Sequence, residues 1–235
     1  MRYRHLIFDL NGTIADTFAD LTAALNQVLA HHGRSALDAS QVRPWNGERL
    51  RSLLRLAFQA TGPTLTDLEI AELLPEFREA YSQHTGQHAQ LYPGVIATLS
   101  GLQGLGVAMS VLTNKPLPPS QYLLEQLGIR SYFQNIVAGD GETPRKPDPA
   151  GLLQLIAVAA VPAEATLMVG SSRIDTETAR NGGVRIALLD HDPQHRGLVR
   201  GMGADYVLPQ MANLVALLSR PGTSEAPPVL DQSNS

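Results

Sequence analysis

The stretch that decides the fold is Leu6-Ile7-Phe8-Asp9-Leu10-Asn11-Gly12-Thr13-Ile14-Ala15-Asp16. An apolar run reaches Asp9, and the Asn-Gly pair that follows is a turn signal. This pattern predicts a buried parallel strand over residues 3–9, which delivers Asp9 to the end of the sheet where α/β proteins bind ligands. An aspartate placed there can act as a nucleophile, as a metal ligand or as both. On this stretch alone, an Asx-turn in which Asp9 only caps the strand fits equally well.

The composition describes a chain that can bury a full core. It has 235 residues, of which 43% are hydrophobic and 17% are charged, and its formal net charge is −4. No cluster of Lys and Arg forms a basic stripe, which argues against nucleic acid as a partner. The absence of cysteine excludes disulfides and thiolate metal sites. No signal peptide precedes the first strand and no apolar run is long enough to span a bilayer, so we expect a cytoplasmic protein with no membrane partner.

The hydrophobic periodicity changes twice along the chain. Residues 16–89 carry helical patterns and no strand pattern, whereas strands and helices alternate from residue 90 onward. The alternation predicts the α/β class, with a Rossmann-like, doubly wound parallel sheet. We therefore expect an α/β core over residues 1–15 and 90–220, with an inserted all-helical cap over residues 16–89. Residues 221–235 are rich in Pro, Ser and Thr, which predicts a disordered tail.

Three later segments each follow a predicted strand, at the same edge of the sheet as Asp9. They are Leu112-Thr113-Asn114-Lys115-Pro116, Arg145-Lys146-Pro147-Asp148-Pro149 and Val169-Gly170-Ser171-Ser172-Arg173-Ile174-Asp175. A hydroxyl and free backbone amides suit phosphate oxygens, and the proline beside Lys146 restricts the backbone that holds its cation. Taken singly, the segments are also explained as a polar turn, a solvated basic loop and a helix N-terminal acid favoured by the dipole.

Together, these segments resemble the haloacid dehalogenase superfamily, and within it the phosphoglycolate phosphatase group. The resemblance covers nearly all of residues 5–219 and rests on FDLNGT, Asp16, LTNKP, RKPDP with the helix after it, and YPGV at the return from the cap. It implies a cap that closes over the site, excludes water and selects a small phosphorylated metabolite. The cap segment Arg43-Pro44-Trp45-Asn46-Gly47-Glu48 is similar to the family's substrate-facing loop, although Trp45 fits packing inside the cap equally well.

The resemblance also implies a role for each site residue. Asp9 would attack phosphorus to give an aspartyl-phosphate, with Mg²⁺ bridging the nucleophile and the phosphate. Thr113 and the Asn114 amide would bind phosphate oxygens, Gly12 would let the backbone turn under the ligand, and Lys146 would neutralise charge. The implied metal ligands are Asp9, the backbone carbonyl of Asn11, Asp175 and, weakly, Ser171.

Two positions depart from the family pattern. Asn11 stands where the family carries the aspartate that protonates the leaving alkoxide and then activates water, and an amide can do neither. Ser171 stands where a direct carboxylate ligand is usual, and a neutral hydroxyl binds a hard cation less well. Loss of a positioned acid or base lowers the rate about 10²–10⁴-fold, so we predict a phosphatase by descent with reduced or altered activity. We expect the protein to be a monomer or a homodimer.

Two alternative functions stay open. A halide leaves without a proton, so a metal-independent 2-haloacid dehalogenase needs no acid at position 11. Such enzymes resemble this chain in carrying a serine pair, here Ser171-Ser172, before the last aspartate. A non-catalytic relic that keeps phosphate affinity for a regulatory purpose would tolerate both departures.

Overall fold

A computed structural model of the chain describes residues 1–141, 143–192, 197 and 199–219. The first half forms β1 (His5–Phe8), β2 (Ala15–Asp16), α1 (Phe18–His31), α2 (Ala39–Val42), α3 (Leu50–Thr61), α4 (Asp67–His84) and β3 (Gln90–Leu91). The second half forms α5 (Val95–Gly104), β4 (Ala108–Leu112), α6 (Leu117–Gln126), β5 (Asn135–Val137), α7 (Ala150–Ala159), β6 (Thr166–Gly170), α8 (Arg173–Asn181), β7 (Arg185–Leu189), β8 (Tyr206–Leu208) and α9 (Asn213–Ser219). The tail predicted over residues 221–235 lies outside the described residues.

Six strands form one parallel sheet in the order β5-β4-β1-β6-β7-β8. The strand that carries the opening motif, β1, is buried between β4 and β6. Because side chains alternate along a strand, Leu6 and Phe8 enter the apolar cluster on one face, which α5 and α9 cover. Ile7 enters the cluster on the other face, beside Leu152 and Leu155 of α7. The predicted Rossmann-like α/β fold is confirmed.

The helices between β2 and β3 bury an apolar cluster of their own. Its members come from α1, α2, α3 and α4, the linker before α2 and the short 3₁₀ turn over Arg43–Trp45. Trp45 is partly buried against this cluster, which favours the packing interpretation of that residue. α4 begins with a capping box, in which Thr66 and Glu69 satisfy each other's backbone N–H groups.

The prediction that residues 16–89 are all helical is wrong at its first residue. Asp16 lies in β2, which pairs antiparallel with β3, so that Ala15 faces Leu91 and Asp16 faces Gln90. Strands of two residues are too short to show a period-two pattern, so sequence periodicity could not find them. The chain thus leaves the core and returns to it through two adjacent strands.

None of the helices in the described ranges combines the length and the apolar character that crossing a membrane requires. The expectations of a cytoplasmic location and of a monomer or homodimer stay predictions.

One buried histidine makes the fold sensitive to acid. His5 is fully buried in β1, and its Nε2 atom lies 3.0 Å from the hydroxyl of Ser110 in β4. Burial lowers the pKa of His5 to about 4, whereas an unfolded histidine titrates near 6.5. The native state therefore resists a proton that the unfolded chain accepts.

We expect His5 to contribute stability that is present above about pH 6.5 and is lost as the pH falls towards 4, a total of about 3 kcal/mol. Urea unfolding between pH 7 and pH 4 should show a smaller loss of stability for His5→Gln than for the parent. The exposed His88 supplies the control, since His88→Gln should keep the parental pH profile. Identical profiles for parent and His5→Gln would contradict the prediction.

Candidate active site

Three of the predicted residues meet at the carboxyl ends of the central strands. Asp9 directly follows β1, and its backbone N–H donates to the carbonyl of Val169 in β6 at 2.9 Å. The ammonium of Lys146 donates to Asp9 Oδ1 and to Asp175 Oδ1, both at 2.7 Å. Their exposed fractions are 8% for Asp9, 4% for Lys146 and 0% for Asp175. One buried cation therefore bridges two buried carboxylates.

Burial and charge act together on this triad. Burial opposes the cation of Lys146, but the two facing carboxylates outweigh it and raise the pKa of the Lys146 ammonium. Burial also raises the pKa of the Asp9 carboxyl, with Asp175 adding to the rise and Lys146 opposing it. One ammonium shared by two carboxylates leaves the triad with a net negative charge. Because its pKa is raised, Lys146 stays protonated and holds Asp9 and Asp175 together.

Asp175 is held by the start of α8. Its Oδ2 atom accepts from the backbone N–H of Ser171 at 3.1 Å, from the N–H of Ser172 at 3.0 Å and from the Ser172 hydroxyl at 2.7 Å. Ser172 is also the N-cap of the helix. Both carboxylate oxygens of Asp175 are thus engaged, one by the helix start and one by Lys146. These contacts favour a role in positioning Lys146 over direct contact with a metal.

The two departures from the family pattern lie at the boundary between core and cap. The Ser171 hydroxyl oxygen lies 3.0 Å from Thr13 Oγ1, which also lies 3.1 Å from Asp9 Oδ2, so the single proton of Thr13 is shared between two acceptors. Asn46 of the cap donates its Nδ2 to the same Ser171 oxygen at 3.1 Å. Asn11 donates to the hydroxyl of Tyr81 in α4 at 3.5 Å. Ser171 and Asn11, which stand where the family carries aspartates, therefore each form hydrogen bonds with neutral polar side chains.

Gly12 is required by the close approach of the cap. Its φ is +77°, in the left-handed region that glycine tolerates best. A Cβ atom there would lie 2.8 Å from Nδ2 of Asn46 and 3.0 Å from Oγ of Ser171. The glycine thus lets the cap loop and the core meet directly above the turn that follows Asp9.

The predicted phosphate-binding segment after β4 also supports Lys146. Asn114 forms a reciprocal pair with the backbone of Lys146: its Nδ2 donates to the Lys146 carbonyl at 3.1 Å, and its Oδ1 accepts from the Lys146 N–H at 2.9 Å. Thr113 Oγ1 accepts from the N–H of Lys115 at 3.2 Å. The side chain of Asn114 is therefore engaged, and phosphate binding through its backbone amide stays a prediction.

A second contact between cap and core was not found from the sequence. The guanidinium of Arg43 bridges Asp16 at 2.5 Å and Asp192 at 2.8 Å, and it lies over the ring of Phe18. Asp16 and Arg43 each lie in a sequence motif, but Asp192 lies 149 positions from Arg43 and no local pattern links them. His191, next to Asp192, donates its Nε2 hydrogen to the Gly12 carbonyl at 3.3 Å.

Comparison of the chain with known proteins shows which family has this arrangement of residues at the strand ends. The family model of haloacid dehalogenase-like hydrolases matches residues 6–189. The chain belongs to this family. The match includes β1, the cap, and the segments that carry Asp9, Lys146 and Asp175, so the fold and the site are covered by one family assignment.

Named relatives of this haloacid dehalogenase-like hydrolase share one description. Phosphoglycolate phosphatase 1 of Pseudomonas aeruginosa is 39% identical over 196 residues, which are 82% of this chain and 71% of that protein. The phosphoglycolate phosphatase of Rhodospirillum rubrum is 36% identical over 213 residues, 89% of this chain and 88% of that protein. A crystal structure from Haemophilus somnus 129PT, described as a predicted phosphoglycolate phosphatase, has a TM-score of 0.82 at 24% identity and covers 93% of this chain and 99% of that one. This structural likeness supports the fold alone.

The donors beside Asp9 decide how well this haloacid dehalogenase-like hydrolase suits a magnesium ion. Among the described residues, no group of three or more His, Asp or Glu side chains is placed to hold a metal. Asp9 accepts two side-chain hydrogen bonds, from Lys146 and Thr13, whereas Asp175 accepts four. Asp9 is therefore the less engaged carboxylate, and Ser171 supplies a hydroxyl. Magnesium in proteins is often held by one or two carboxylates together with substrate phosphates. The donor set therefore fits Mg²⁺ bound jointly with a phosphate and fits a free ion poorly.

Proposed function

We propose that this hydrolase cleaves small phosphate monoesters of the phosphoglycolate type, with lower turnover than an enzyme that has carboxylates at positions 11 and 171. The observation that carries the proposal is the Lys146 bridge between Asp9 and Asp175, at 2.7 Å on each side. It supplies a buried nucleophile and a fixed cation at the same strand ends. The names of the relatives, which are 36–39% identical, supply the substrate type.

The proposed reaction has two steps at Asp9. An Asp9 carboxylate oxygen bonds to phosphorus while the bond from phosphorus to the substrate oxygen breaks, which gives an aspartyl-phosphate and an alkoxide. Water then attacks phosphorus, releases phosphate and regenerates the carboxylate. Lys146 stabilises the negative charge in both steps. Because Asn11 cannot donate or accept the protons, solvent must supply a proton to the alkoxide and take one from the attacking water.

The magnesium site belongs to the same proposal. Asp9, the backbone carbonyl of Asn11 and the Ser171 hydroxyl would hold Mg²⁺ together with the phosphate of the substrate. The ion would supply charge neutralisation on the phosphoryl oxygens. Asp175 would support the site through Lys146, because its carboxylate already accepts four hydrogen bonds, three of them at Oδ2 from the start of α8.

Activity with and without metal tests the proposal. We expect the parent chain to release phosphate from 2-phosphoglycolate in the presence of Mg²⁺ and to lose this activity in excess chelator, since Lys146 alone leaves the negative charges of the phosphate and of Asp9 largely uncompensated. Phosphate release is measured over a panel of phosphate monoesters, and halide release from 2-haloacids is measured in chelator. Asp9→Asn is the control, because it removes the nucleophile with little change in shape.

Each other outcome selects a different function. Halide release that persists in chelator would contradict the proposal and support a dehalogenase. No turnover of either substrate class, with binding of inorganic phosphate retained, would support a non-catalytic phosphate binder. Phosphate release that is equal in the parent and in Asp9→Asn would show that the activity does not come from this site.

A further inference from the structure

A second buried lysine lies beside the site and takes no part in the mechanism above. Lys115 follows Thr113 after β4, and only 5% of its surface is exposed. Its ammonium lies 3.7 Å from the centre of the Tyr81 ring in α4. The core thus supplies a cation and the cap supplies the aromatic face that covers it.

Lys115 differs from Lys146 in its partners. Lys146 is bonded to two carboxylates, whereas none of the ion pairs within the described residues includes Lys115. An aromatic face attracts a cation, but it accepts charge less well than an anion does, and burying an ammonium without an anion is unfavourable. A cation held in this way is suited to a ligand that brings the missing negative charge.

The Tyr81 hydroxyl adds a hydrogen-bond donor beside this cation. Tyr81 accepts from Nδ2 of Asn11 at 3.5 Å, so its own hydroxyl hydrogen remains available for another acceptor. Oδ1 of Asn11 is buried and has no partner among the described residues. These polar groups lie at the contact between α4 and the turn that follows Asp9. Tyr81 therefore contacts both Lys115, through its ring, and Asn11, two residues after the nucleophile, through its hydroxyl.

We propose that Lys115 binds the carboxylate of a phosphate monoester whose phosphate lies at Asp9, and that it thereby determines substrate specificity. The inference rests on the proposed phosphatase function and names a selective residue within it. A carboxylate matches Lys115 and Tyr81 because it carries one negative charge for one ammonium and has two oxygens for two donors, Lys115 Nζ and the Tyr81 hydroxyl. Since Tyr81 belongs to the cap, this contact would form only when the cap is closed.

Two ligands that differ only in this group test the inference. 2-Phosphoglycolate carries the carboxylate, and 2-hydroxyethyl phosphate has a neutral hydroxymethyl group in its place. Dissociation constants for both are measured by calorimetry in the presence of Mg²⁺, and kcat/KM is measured beside them. The variants are Lys115→Met, which removes the charge, Lys115→Arg, which keeps it, and Tyr81→Phe, which keeps the aromatic ring.

We expect the parent to bind 2-phosphoglycolate about 10- to 100-fold more tightly than 2-hydroxyethyl phosphate, the range of one charge-assisted hydrogen bond. Lys115→Met should remove most of this preference by weakening only the carboxylate ligand. Lys115→Arg should retain a preference, and Tyr81→Phe should lose part of it. Thermal unfolding of each variant separates a lost contact from a lost fold.

The two proposals fail in different ways. If the parent turns over neither ligand but prefers the carboxylate in binding, and Lys115→Met removes that preference, the phosphatase function fails and the role of Lys115 stands. Equal affinity of the parent for both ligands would overturn the inference. So would an equal loss of affinity for both in Lys115→Met, since that result would place Lys115 at the phosphate or in a purely structural role. If Lys115→Met does not fold, Lys115→Arg and Tyr81→Phe decide. The inference would be contradicted if Lys115→Arg lost the preference for 2-phosphoglycolate while Tyr81→Phe kept it unchanged, because Arg retains the charge.

Discussion

The double variant Asn11→Asp/Ser171→Asp should hydrolyse phosphate monoesters about 10²- to 10⁴-fold faster than the parent in Mg²⁺, because it restores a positioned acid and base. The Ser171 hydroxyl already lies within hydrogen-bonding distance of Thr13 and Asn46, so a carboxylate there meets donors of the right kind. It would also give magnesium a second carboxylate ligand. The measurement is kcat and kcat/KM with 2-phosphoglycolate as the Mg²⁺ concentration is varied.

The single variants separate the two contributions. Asn11→Asp should act mainly on kcat, whereas Ser171→Asp should mainly lower the Mg²⁺ concentration needed for half-maximal activity. Ser100→Asp adds a carboxylate at an exposed position of α5 and should change neither quantity. A double variant no faster than the parent would contradict the view that this chain is a phosphatase weakened at these two positions.

Lys146→Met should unfold at markedly lower urea concentration than the parent and lose at least about 10²-fold in kcat/KM. Removing one partner of a buried ion pair typically costs about 3–5 kcal/mol, because the remaining charges are left buried and uncompensated. Here two carboxylates, Asp9 and Asp175, would face each other without the ammonium between them. The activity falls because the fixed positive charge beside the nucleophile is lost.

A second substitution shows which charge is responsible. Lys146→Met/Asp175→Asn removes one of the two uncompensated carboxylates, so it should regain a substantial part of the stability and none of the activity. Lys115→Met removes a buried lysine that has no described carboxylate partner and should destabilise the fold far less. If Lys146→Met unfolds at the parental urea concentration, Lys146 does not compensate these carboxylates.

The residues at the strand ends could be predicted from the sequence because each of them lies in a short local pattern. An apolar run before Asp9, prolines beside Lys146 and a helix start at Asp175 are patterns of a few residues. Parallel strands then bring such residues to one edge of the sheet, whatever their separation in sequence. The sequence predicts that Asp9, Thr113, Lys146 and Asp175 converge. Contacts join Asp9, Lys146 and Asp175, while the place of Thr113 beside them and the catalytic and metal-binding roles of all four stay predictions.

The contacts between cap and core were not predictable in the same way. Arg43 and Asp192 are brought together by the folded arrangement of two separate parts, as are Lys115 and Tyr81. Such pairs depend on how the helices are oriented over the sheet, and no short pattern records that orientation. The two-residue strands β2 and β3 were missed for a related reason, since their pairing becomes visible only when both are in place.

Asn46 of the cap is hydrogen-bonded to Ser171 of the core, directly above Gly12, where no side chain would fit. This contact affects how a substrate enters the site and how a product leaves it. The Asn46 loop of the cap lies directly against the core beside the turn that follows Asp9. We expect a substrate to reach Asp9, and a product to leave, when Asn46 moves away from Ser171 and the ion pairs of Arg43 open. The frequency of that separation would then set an upper limit on turnover, however fast the chemistry at Asp9 is made.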